Sequence, residues 1–177
     1  MKPIYLLTPL LSLLPLTTPH PTTTTPPPDN KAITPGHATI HNNCTTPIYI
    51  WSVSSTTSPQ YTIPATQNYS EIFHHDAQTG GVSIKITTVR NGLYTGSPQM
   101  IFAYNLVNEQ VWFDLSDVFG DPFRGRRVTV GVVAGGGGGG GGGEEKEMIV
   151  WEDGVPVGGS QVRVIGGEGE VVVRVCA

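Results

Sequence analysis

The sequence predicts an all-β fold, a β-sandwich of roughly ten short strands, from three observations. The first is period-two alternation of apolar and polar residues. Val82, Ile84 and Ile86 alternate with Ser83, Lys85 and Thr87, and the same pattern recurs at Val128, Val130 and Val132 and at Val171, Val173 and Val175. The second is punctuation at short intervals by turn pairs: Thr79-Gly80-Gly81, Asn91-Gly92, Asp121-Pro122 and Asp153-Gly154. The third is that no stretch sustains a 3.6-residue apolar period over three turns. Two further runs, Pro47 to Val53 and Met100 to Leu106, are apolar at both parities and predict strands lying between layers.

Length and charge limit the function classes. A chain of 177 residues holds one domain with a sizeable core. The formal net charge is -4 and the pI is about 5.6, so no basic field exists to hold a phosphate backbone, and nucleic acid is excluded as a partner. Residues 1–18 read as an export signal: Lys2 supplies the positive start, and Ile4 to Leu16 is an apolar stretch too short to span a bilayer. No other run is long enough for a membrane helix, so a membrane is not expected as a partner and the chain is expected outside the cell. Residues 19–36 form a Thr/Pro-rich linker, expected to be disordered, with the composition of an O-glycosylated stalk or of a plain spacer. The folded domain is expected over residues 37–177. Within it, the nine glycines Gly135 to Gly143 predict a flexible loop over 134–147; no Lys-Ser/Thr follows them, so they do not form a phosphate-binding loop. Two N-glycosylation sequons occur, at Asn43 and Asn68, and Asn68 is the better candidate because the first contains a cysteine.

Several longer segments carry a family resemblance. Asn42-Asn43-Cys44, Pro47-Ile48-Tyr49-Ile50-Trp51-Ser52-Val53, Tyr69-Ser70-Glu71-Ile72-Phe73 and Asn91-Gly92-Leu93-Tyr94 belong to it, as does Thr79 to Ile86. The most specific piece runs from Val111-Trp112-Phe113-Asp114 through Leu115-Ser116-Asp117-Val118 to Phe119-Gly120-Asp121-Pro122-Phe123. Together they resemble the yeast-phase-specific (BYS-type) antigenic thaumatin-like secreted proteins of fungi. The resemblance covers about Ala38 to the C-terminus and implies a thaumatin-like β-sandwich, fungal origin and secretion, with no settled activity. Members of that family usually carry two further cysteines, at positions that here hold Lys146 and Ile165. One staple is therefore expected to be missing, and this part of the domain to be looser.

An even pair of cysteines in an exported chain reads as a disulfide, and here the pair is Cys44 and Cys176. The resemblance implies the same bond, because the first and last cysteines of thaumatin-like domains pair. It also implies a place to look for hydrolysis of β-1,3-glucan, the acidic cleft of the plant members. Glycoside hydrolysis needs two carboxylates set across the sugar. Asp114 matches one cleft acid, whereas Ala103 and Phe119 stand where others belong. Glu71, Asp114 and Asp117 are the candidates for a rebuilt acidic cleft, with Asp121 beside them. Asp114, Asp117 and Asp121 have a second reading as turn caps.

The remaining features point to binding rather than chemistry. His74-His75-Asp76 suggests a metal site, but adjacent strand residues face opposite ways, so a polar strand end is the expectation and no metal or cofactor is assigned. Arg124, Arg126 and Arg127 read as a solvated turn. Trp51, Tyr94, Trp112 and Trp151 could stack on sugar rings, although Trp51 and Trp112 lie in apolar runs and read as core. The sequence thus predicts a monomeric, non-enzymatic secreted wall or surface protein that binds β-glucan, another cell-wall polysaccharide or a host protein. A weak β-1,3-glucan hydrolase is the alternative.

Overall fold

The computed structural model describes residues 33–133 and 145–177. The export signal, most of the Thr/Pro linker and nearly all of the glycine-rich loop lie outside the described residues. Among the described residues, eleven strands and one helical turn, α1 (Gly92–Thr95), build the domain, close to the roughly ten strands expected. The first sheet is built from β1 (His37–Asn42), β4 (Asn68–Ile72), β8 (Val128–Val133), β9 (Glu145–Trp151) and β11 (Glu170–Val175), in the order β4-β1-β11-β8-β9. The second contains β2 (Ile48–Val53), β3 (Tyr61–Ile63), β5 (Val82–Thr87), β6 (Gln99–Val107), β7 (Gln110–Val118) and β10 (Arg163–Gly166), in the order β10-β7-β6-β5-β2-β3. All pairings are antiparallel except β1 with β11.

The alternating segments do what their pattern predicts. Val82, Ile84 and Ile86 of β5, Val128 and Val130 of β8, and Val171, Val173 and Val175 of β11 are buried in a single core. Phe102, Phe113, Phe73 and Tyr104 fill its middle, with ring centroids 5.1–6.2 Å apart. Residues 33–36, assigned to the linker by composition, are partly tied to this domain. Gly36 N–H donates to Gly167 O (2.7 Å) and Phe73 N–H donates to Gly36 O (2.9 Å). A side chain at Gly36 would run into the backbone of Gly169, so only glycine allows the approach.

The two sheets are fastened at one end by Asn42, the last residue of β1. Its carboxamide donates to Thr46 O (3.0 Å), Ile63 O (3.0 Å) and Pro64 O (3.1 Å), and its Oδ1 accepts from Cys44 N–H (3.0 Å). Ile63 ends β3, in the opposite sheet. Cys44 and Cys176 form the disulfide, with Cα atoms 5.1 Å apart and a sequence separation of 132. The bond joins the exits of β1 and β11, the parallel neighbours that begin and end the domain.

The positions of the two missing cysteines lie on edge strands of opposite sheets, Lys146 on β9 and Ile165 on β10. Ile165 packs against the core, and Arg163 Nε–H donates to Met148 O (3.1 Å) across the same flank. A hydrogen bond from β10 to β9 therefore joins the two strands at this flank.

Two stability predictions follow from this end of the domain. Replacing both Cys44 and Cys176 by serine should cost roughly 2–5 kcal/mol, because the bond closes a loop of more than a hundred residues; urea denaturation measures it, and an unchanged midpoint contradicts it. Asn42→Ala leaves the buried Ile63 carbonyl and the buried Cys44 N–H without partners and should cost about 2–4 kcal/mol in the same assay.

Candidate functional site

Strand parity decides which side chains can meet. In the second sheet Phe102, Tyr104, Phe113 and Leu115 face the core, so Ala103, Asn105, Trp112 and Asp114 face outward. Register sets these in rows: Ser83 lies opposite Ala103, which lies opposite Asp114, and the next row carries Asn105, Trp112 and Val164. Lys85 follows Ser83 on the same face of β5. These residues line an open groove of ≈ 430 Å³, closed at one side by Val162 and at the rim by Ser54 and Thr79.

Trp112 is the main departure from expectation. It reads as core from its apolar neighbours, yet it is 47% exposed, beside Val164 and Val162 at 39% and 48%. The hydrophobic neighbours Val111 and Phe113 are the buried ones, and Trp112 has the opposite parity. Trp51 is fully buried as expected, although on the outer face, where the Tyr94 ring meets it edge-on at 6.1 Å. Tyr94 itself is 71% exposed, and Trp151 is buried in the core.

The acidic cleft expected from Glu71, Asp114 and Asp117 does not form. Glu71 on β4 points between the sheets, where its two carboxylate oxygens accept from Tyr69 and Tyr104 hydroxyls, both at 2.6 Å. Burial, reinforced by the Glu71 carboxylate, pushes both phenols above their ordinary range. Asp117 has the inward parity of β7, opposite Met100, whereas Glu71 meets Tyr104, four residues away along β6 and so about 13 Å distant. Only Asp114 reaches the groove. The Asp117 carboxylate oxygens are buried without a hydrogen-bond partner among the described residues. Burial, with the Asp121 carboxylate adding repulsion, pushes this acid up to about 7.

The other candidates have structural occupations. Asp121 pairs with Arg124, and Arg127 pairs with Glu147 and Glu152 at 3.0–3.1 Å, so two of the three clustered arginines are neutralised locally. His74 Nδ1 lies 3.1 Å from the Tyr104 hydroxyl and His75 Nδ1 lies 3.3 Å from Asn105 Oδ1; they take separate partners. Asn68 is exposed on the edge strand β4.

Asp76 has a role that sequence reading missed. It accepts from the backbone N–H groups of Gln78 (2.9 Å) and Thr79 (2.7 Å) and from the Ser55 hydroxyl (2.6 Å). The Ser55 bond, then the Thr79 N–H, holds its carboxyl well below the usual range. Asp76 thereby binds the two loops that carry Thr79 and Ser54 to the groove rim. The Asp-x-x-Thr-Gly spelling of an Asx-type turn was the available signal.

Comparison with known proteins fits this architecture. The family profile described as "Bys1: Blastomyces yeast-phase-specific protein" matches residues 28–177. The chain belongs to this family. It is 36% identical over 83 residues to "Secreted thaumatin-like protein calA" of Emericella nidulans, covering 47% of this chain and 46% of that protein. It is 30% identical over 96 residues to an "Antigenic thaumatin-like protein" of Arthroderma benhamiae, covering 54% and 47% respectively. The chain thus spans about half the length of the curated relatives it matches. The crystal structure of the protein elicitor MoHrip2 from Magnaporthe oryzae superposes with a TM-score of 0.56 at 23% identity, over 80% of this chain and 99% of that one, and shows the shared fold.

The raised Asp117 carboxyl makes stability depend on pH. Its folded pKa exceeds the unfolded value of about 3.9, so the folded state is favoured below that value and loses ground as pH rises towards 7. Asp117→Asn should flatten this decline. At pH 7.5 it should raise stability by roughly 1 kcal/mol, allowing for solvent screening, or a few degrees in Tm. A Tm series from pH 4 to 8 checks it, and identical slopes for the two proteins would refute the assignment.

Proposed function

We propose that this protein is a secreted, thaumatin-like surface protein that holds a cell-wall polysaccharide in the outer groove of its second sheet without cleaving it. The carrying observation is Trp112, a half-exposed indole in a groove that also presents Asp114, Asn105 and Ser83. Sugar rings offer apolar C–H faces that stack on indole, and hydroxyl edges that hydrogen-bond to carboxylate and amide groups. The names of the two relatives support secretion and the thaumatin-like assignment.

Hydrolysis is disfavoured by the partner across from Asp114. Ala103 lies directly opposite it in the ladder, Glu71 is held between the sheets by two tyrosine hydroxyls, and Asp117, which shares a small hollow with Asp114, has both carboxylate oxygens buried. One carboxylate cannot serve as both acid and base or nucleophile across a glycosidic bond. Retention on insoluble β-1,3-glucan, measured by co-sedimentation, should fall about tenfold or more in Trp112→Ala, while laminarin releases no reducing sugar with either protein. Unchanged retention in Trp112→Ala, or turnover that Asp114→Asn abolishes, would overturn this reading.

A further inference from the structure

The groove contains a cation that a neutral glucan does not need. Lys85 lies on its floor, two residues along β5 from Ser83, with its side chain half-buried. Among the described residues, every ion pair found is made by an arginine and Lys85 has no carboxylate within 4 Å. Asp114, the only acid lining the groove, lies two strands away and is offset by two residues. A half-buried ammonium without a counter-ion is costly, and burial pushes this amine below the ordinary lysine range. A ligand that supplies an anion there recovers that cost.

We propose that the groove selects acidic glycans, with Lys85 pairing with an anionic group on one ring while Trp112 stacks on another. The spacing suits a short oligosaccharide. Trp112 and Lys85 are separated by two inter-strand steps and four residues along the strands, about 16 Å between their Cα atoms. Asp114 lies between them, where it can accept ring hydroxyls without meeting the anion. The anionic group is a carboxylate, as in a uronic acid, or a sulfate ester; an ammonium binds either as a point charge. This inference rests on the groove being a glycan site and adds its charge preference.

The test compares binding of four probes by calorimetry: oligogalacturonate, the same oligomer with its carboxyls reduced to alcohols, a sulfated galactan oligosaccharide and a neutral β-1,3-glucan oligosaccharide. The native protein should bind oligogalacturonate or the sulfated probe about ten- to a hundredfold more tightly than the reduced and neutral probes. Which anionic probe binds more tightly identifies the anion. Lys85→Met, which keeps the apolar stem, should abolish the preference for the acidic probes over the reduced and neutral ones, whereas Lys85→Arg should keep it. Equal binding of acidic and reduced probes, or a preference that survives Lys85→Met, overturns the proposal. If the native protein shows no preference while Trp112→Ala still weakens every probe, the charge selection alone is wrong. If Trp112→Ala changes nothing, the groove itself is not the site.

Discussion

The carboxamide of Asn42 is the interaction on which the rest of this domain depends. It sits at the end of β1, fully buried, and uses both of its polar atoms on backbone groups of the chain that crosses to the second sheet. A buried amide carried on one layer with a partner on the other fixes their relative position in a way that apolar packing, being non-directional, does not. The same turn delivers Cys44 to Cys176, so the constraint continues covalently into β11. Parallel pairing of β1 with β11 needs a long connection, which here is nearly the whole domain. Closing that connection costs entropy, and the disulfide reduces this cost by constraining the unfolded chain.

With that end fixed, strand parity distributes the acids into different roles. Glu71 becomes the acceptor for two tyrosine hydroxyls, a polar contact between a strand of one sheet and a strand of the other. Asp117 lies inward at the end of β7, its carboxylate oxygens buried without a hydrogen-bond partner among the described residues, a place where local preference and global fold disagree. Asp114 faces outward. Three carboxylates within the family's own motifs thus occupy three environments, two of them closed to a ligand.

The fold was legible in the sequence because its code is short-range. Alternation in β5, β8 and β11 identified the core face, and turn pairs such as Thr79-Gly80-Gly81 marked the connections. The Cys44–Cys176 pairing followed from there being only two cysteines and from the resemblance. The site was less legible. Convergence of Glu71, Asp114 and Asp117 depends on sheet order and on a 31-residue step from Ser70 to its neighbour Thr39, neither of which is written locally. Trp112 was misjudged for a different reason. Its neighbours on both sides are apolar, and in Val111-Trp112-Phe113 only the parity carried on from Leu115 shows which residue faces out. The shape of the rim depends on an Asx turn, whose signal is Thr79 after Asp76 rather than the histidines before it.

The groove then follows from what the outer face of the second sheet leaves uncovered. Tyr94, presented by α1, lies against Trp51 and seals one end of that face. Beyond it, the surface keeps an apolar wall of Trp112, Val162 and Val164 beside a floor bearing one free base and one free acid. A face intended only for solvent would favour long, mutually paired charges, as Arg127 does with Glu147 and Glu152 on the other sheet. Here the charges are kept apart by the alanine of the central strand, and the aromatic surface is left open beside them. Separated opposite charges cannot neutralise one another, and they gain most from a ligand that meets each with its own complement. The residue opposite Asp114 therefore bears on both parts of the proposal: Ala103 sets no second carboxylate beside Asp114, and its small side chain leaves the surface between Asp114 and Lys85 open.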